Sequence, residues 1–142
     1  METASPKLIG ESEPAKAAAR VVLDDCISRA TRAMRSASLT DLGEERQDPL
    51  GDPGRLALMT IDDSRLDHAI GEWVDAGNGF WDAVHQVAVL TADDDLRQGR
   101  HQRMVEAGIR WRKQVLGQRR AAFVAATRTA QRALHRVPAL PA

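Results

Sequence analysis

Between residues 20 and 37 the apolar positions recur three and four apart. Leu23, Cys26, Ala30, Ala33 and Ala37 form one stripe, flanked by Val22, Ile27 and Met34. That period puts them on one side of an α-helix. Ser12-Glu13-Pro14 supplies a capping residue and a proline that a first helical turn accepts. A helix is therefore predicted over about 14–39, some 40 Å long at about 1.5 Å per residue, behind a flexible tail of residues 1–12. Its alanines permit a partner helix to approach closely.

A second stripe runs through Leu66, Ile70, Trp73, Phe80, Val84 and Val87. At about 100° per residue these lie within about 60° of their mean direction. Thr60-Ile61-Asp62-Asp63 and Ser64-Arg65-Leu66-Asp67 both have capping-box spacing, so a second helix is predicted over about 60–90. Gly77-Asn78-Gly79 interrupts the run but leaves its phase unchanged, which predicts a kink or weak point inside one helix. Thr91-Ala92-Asp93-Asp94 repeats the capping spacing and sets aspartates at the positive end of a third helix dipole. That helix is predicted over about 92–137. Pro138 stops it, Gly108 or Gly117 could divide it, and residues 138–142 form a tail.

Between the first two helices, Asp48-Pro49, Gly51, Asp52-Pro53 and Gly54 read as part of an acidic loop over 41–55. It is long for a connection in a compact domain. The expectation is thus all-α: one domain, residues 13–137, folded as a bundle of three long antiparallel helices, or four if the last divides.

Composition narrows the class. Tyr is absent and Phe occurs twice, while Ala, Arg and Leu are abundant, which favours helix over sheet. Cys26 is the only cysteine, so no internal disulfide can form; within an apolar helical stretch it is expected to be a buried, inert thiol. The first residues lack the basic and apolar regions of a secretory signal. The longest apolar run, around Val87-Ala88-Val89-Leu90, is far too short to cross a membrane. The expectation is a cytoplasmic protein with no membrane partner.

Charge changes the picture most. The chain is neutral overall, but residues 96–142 carry eleven bases against Glu106 alone, net +10. Residues 41–95 carry fourteen acids against Arg46, Arg55 and Arg65, net −11. Such sorting creates strong local fields, which govern partner choice more than fold. On a wheel of the last helix, Val105, Ile109, Leu116, Phe123, Ala130 and Leu134 cluster on one side. Arg100, Arg103, Arg110, Arg128, Arg132 and Arg136 cluster about 170° away. Arg112 and Arg119 fall near the core edge, placed to pair with acids of the second helix. There, Asp75 and Asp82 face away from the apolar stripe.

Three uses of these faces compete: a solvated surface, phosphate contacts on a nucleic acid, and docking on another protein. No aromatic is interleaved with the arginine stripe, and the acidic half would repel a polyanion. The expected function is therefore a non-enzymatic helical interaction or assembly subunit. It would dock on a protein partner, or self-associate, through Arg100, Arg103, Arg110, Arg128, Arg132, Arg136, Asp75 and Asp82. The alternative is a small helical nucleic-acid-binding subunit of a nucleoprotein complex.

Catalytic chemistry finds little support. Asp82-x-x-His85 has the spacing of a bundle di-metal ligand pair, and His68/Glu72 could join it, but such a site wants two acid-x-x-His pairs and two further carboxylates. Gly77-Asn78-Gly79 lacks the lysine and preceding strand of a phosphate loop. No spacing suggests a nucleophile with its base. No enzyme activity, cofactor or metal is expected, and Trp73, Trp81 and Trp111 are all assigned to the core.

Overall fold

The computed structural model describes residues 4–36, 48–92 and 102–137. Among these the protein is all-α. Four helices are present: α1 Ala4–Arg35, α2 Gly51–Ile61, α3 Ser64–Ala92 and α4 Gln102–His135. The three long helices expected from periodicity are there, and the fourth comes from a place the pattern did not suggest.

Helix α1 begins at Ala4, so residues 4–12 are helix and not the expected tail. Pro6 falls in the first turn, where its missing N–H has no intrahelical acceptor to lose. Pro14 sits inside the helix, where it removes one hydrogen bond, to the carbonyl of Gly10. At the other end Ser36 closes α1, its hydroxyl donating to the carbonyl of Arg32 at 3.0 Å.

The expected acidic loop over 41–55 is corrected in its second half, which is helix α2; residues 37–47 lie outside the described residues. Leu50 donates its N–H to Oδ1 of Asp48 at 3.1 Å, and Arg55 reaches back to pair with Asp48, which organises the entry. Gly51 takes φ +61°, a left-handed turn that suits glycine. Pro53 then occupies the first turn. Gly54 lies where a Cβ would stand 3.0 Å from Cβ of Leu50 and 3.3 Å from Sγ of Cys26. A residue that reads as a breaker is the one that lets α2 lie against α1.

Helix α2 stops at Asp62, in the left-handed conformation with its N–H bonded to Leu58 O at 3.1 Å. The expected start at Thr60 is therefore corrected: Thr60 belongs to α2, and its hydroxyl donates to Leu56 O at 2.8 Å. The cap of α3 is Asp63, whose Oδ1 accepts from the N–H groups of Arg65 and Leu66 at 2.9 and 3.1 Å. Helix α3 runs unbroken through Gly77-Asn78-Gly79 and on past Thr91, so the expected third start at residues 91–92 is corrected as well. Helix α4 is continuous through Gly108 and Gly117.

Helices α3 and α4 pack antiparallel. Trp73 and Phe80 meet Phe123 at centroid distances of 6.4 and 5.7 Å, and Gly79 of α3 lies against Arg119. Helix α1 packs on α2 and on α4. Arg20 fastens the second contact, donating to Val137 O at 2.8 Å just past the end of α4. One apolar core joins the four helices. It contains Leu23, Cys26, Ile27 and Met34 from α1, Ala57 and Ile61 from α2, Leu66, Ile70, Trp73, Phe80, Val84 and Val87 from α3, and Leu116, Phe123, Ala130 and Leu134 from α4. No described helix is long and apolar enough to cross a membrane.

Candidate interaction surface

Opposite that core, α4 exposes Arg103, Arg110, Arg128 and Arg132, and the turn that follows it exposes Arg136. None of the five forms an ion pair with a described acid; the described ion pairs join Arg29 to Asp25, Arg55 to Asp48 and Asp52, and His68 to Glu72. Arg100 lies outside the described residues. From Arg103 to Arg136 the face extends about 50 Å at about 1.5 Å per residue, so it is a track and not a single site. Asp75 and Asp82 are exposed on α3.

The structure gathers only part of this set. Arg132, in the last turn of α4, and Arg136, just past its end, line an open groove with Ser64, Arg65, His68 and Glu72 from the first turns of α3. Thr129 completes one wall, and Ala69 and Ala133 form the floor. Antiparallel packing brings these helix ends together. In the sequence Arg65 is only one base within an acidic block; its neighbours across the groove lie more than sixty positions away.

Arg112 and Arg119, expected to pair with acids of α3, make other contacts. Arg112 donates to Gly108 O at 3.4 Å and lies 5.7 Å from the centre of the Trp111 ring. The Arg119 side chain crosses Gly79, with Nη1 3.1 Å from where a Cβ would stand. Trp111 itself corrects the assignment of all three tryptophans to the core. It is 60% exposed, whereas Trp73 is fully buried and Trp81 half-buried with an edge-on contact to Phe80. The signal was available: Trp111 falls about 130° from the core stripe at about 100° per residue. Position on the helix, and not hydrophobicity, decides its exposure.

The chemistry at Cys26 follows from its burial. Only 1% of the residue is exposed, and the thiol donates to Leu50 O at 3.7 Å. Burial pushes its pKa above the ordinary thiol value, and Arg29 alongside pulls weakly the other way. A protonated thiol closed off by α2 is a poor nucleophile. Among the described residues, no three of His, Cys, Asp and Glu gather as metal ligands. His68 Nε2 is 3.2 Å from a Glu72 carboxylate oxygen, an exposed pair on one helix face.

Fold and surface define a small all-α bundle with a basic face. The chain matches no family, no curated protein and no solved structure, so the functional reading rests on its own geometry.

Proposed function

We propose that this protein is a non-enzymatic helical interaction subunit that docks on a protein partner, or on further copies of itself, through the arginine face of α4. The observation that carries the reading is the row of five exposed arginines with no ion pair to a described acid, beside an exposed tryptophan. Tryptophan and arginine are the side chains that dominate the energetics of protein interfaces. Acidic α3 positions, Asp75 and Asp82, lie on the neighbouring helix, so one molecule carries surfaces of both signs. Opposite charges favour head-to-tail contact and steer encounter.

Light scattering at low and high salt tests this directly. Association is expected at about 50 mM salt and lost near 1 M, where the Debye length falls to about 3 Å. Arg110→Glu with Arg128→Glu should abolish association while leaving the helical signal intact, since both residues point away from the core. A strict monomer at low salt that also binds no acidic partner protein would overturn the reading.

Trp111 favours a second reading. An exposed ring beside arginines offers a stacking platform for bases along a phosphate track. If six arginines, Arg100 included, contact phosphates, the log–log slope of affinity against salt would be about −4 to −5. Polarisation titrations with labelled single- and double-stranded oligonucleotides decide it. Absence of binding at micromolar protein removes it.

A further inference from the structure

The groove between the start of α3 and the end of α4 differs from the rest of the arginine face. Elsewhere on that face Arg103, Arg110 and Arg128 stand on one convex helix. Here two helices hold Arg65, Arg132 and Arg136 around a shared space of about 610 Å³. His68 adds its Nδ1, since Nε2 faces Glu72 at 3.2 Å, and Ser64 adds a hydroxyl. The Arg132 guanidinium donates to the Thr129 hydroxyl at 3.4 Å, and that hydroxyl donates in turn to Ala125 O at 3.1 Å. Among the described residues Glu72 is the only acid lining the groove. The nearby Asp63 is turned onto the N–H groups of Arg65 and Leu66 as a helix cap.

We propose that this groove binds a phosphate monoester. Three arginines against one glutamate leave a formal charge of +2 in the groove. A phosphate monoester at neutral pH carries between about −1.5 and −2, close to a full match. A carboxylate or a phosphodiester carries −1 and leaves the groove half-compensated. Guanidinium forks bind phosphate oxygens bidentately, and the Ser64 hydroxyl can donate to the third oxygen. The apolar floor of Ala69 and Ala133 suits the organic part of the ester. This assignment is independent of docking through the rest of the α4 face, because it uses Arg65 and Arg136 and does not need Arg103, Arg110 or Arg128.

The test uses the full chain and phenyl phosphate as probe at pH 7.5, read by chemical-shift changes of the His68 ring and the arginine Nε–Hε groups. Saturable binding is expected, at least about tenfold tighter than for methyl phenyl phosphate or benzoate. Arg65→Gln with Arg136→Gln should weaken phenyl phosphate binding at least about tenfold at unchanged helicity. Arg110→Gln with Arg128→Gln should leave it within about twofold. Equal affinity for the monoester, the diester and benzoate would overturn the proposal. So would equal losses in the two double variants, since that is what diffuse charge produces. An oligonucleotide that binds equally with and without a 5′-phosphate, and weakens with Arg110 and Arg128, would assign the arginines to a backbone track instead.

Discussion

Substituting Gly77 by alanine tests the α3–α4 packing at a close approach of the two helices. In an exposed helix interior this change stabilises by up to about 1 kcal/mol, because glycine spends more backbone entropy on folding. At Gly77 the new Cβ would lie 3.1 and 3.2 Å from Cε1 and Cζ of Phe123. Ordinary carbon contacts sit at about 3.5–4.0 Å, so the ring must retreat by several tenths of an ångström. It has nowhere to go: Trp73 and Phe80, both fully buried, hold it at 6.4 and 5.7 Å. Overpacking of that kind costs about 1–3 kcal/mol, which meets or exceeds the propensity gain. Gly117, by contrast, has nothing within 4 Å of its would-be Cβ and should show the gain alone. The two alanine variants, identical as chemical changes and both inside long helices, should differ by about 1–3 kcal/mol. With about 3 °C per kcal/mol for a chain of this size, their thermal midpoints should lie about 3–9 °C apart. Urea and thermal unfolding followed by far-UV circular dichroism at one protein concentration would measure it. Combining Gly77→Ala with Phe123→Leu should recover part of the loss, because the two sites touch. If Gly77→Ala raises the midpoint as much as Gly117→Ala, the close approach of α3 to Phe123 is wrong.

Further predictions concern the core, a cap and the thiol. Trp73→Ala should cost about 3–5 kcal/mol in urea unfolding. Trp73→Phe should cost far less, since it also removes the buried Nε1 donor that has no partner; equal losses would refute the placement of that ring. Asp63→Ala removes the acceptor for two N–H groups at the start of α3 and should cost about 1 kcal/mol, with Asp63→Asn retaining most of the stability. Cys26 should react with a thiol reagent at pH 8 only in denaturant. Because its folded pKa is raised, the folded state holds its proton longer than the unfolded chain does. Stability from this group is complete below the ordinary thiol range and falls as pH rises through it. The wild type should therefore lose more stability between pH 7 and pH 9.5 than Cys26→Ala does, and an equal loss would contradict the burial.

Periodicity was enough to determine the helical class and most of the core. Leu23, Cys26 and Met34, the six α3 positions from Leu66 to Val87, and Leu116, Phe123 and Leu134 are all buried as their spacing requires. Those stripes are local: a helix turns each residue by a fixed angle, so the side facing a partner can be read before the partner is known. The outward direction of the α4 arginines was legible for the same reason. Breaker residues were read less well, because their effect depends on what lies opposite. Gly54 and Gly77 look like interruptions in one dimension, but each gives a neighbouring helix room to approach, Cys26 in one case and Phe123 in the other. Pro53 reads as a loop residue, yet a first turn has no use for its missing N–H. The groove was beyond the sequence altogether. Arg65 and Arg136 stand 71 positions apart in the numbering, and only the antiparallel packing of α3 on α4 brings their charges to one place. Local periodicity sets which face of a helix is buried, but the register between two helices is set by side chains interlocking across them, and it is that register which puts three arginines in one groove.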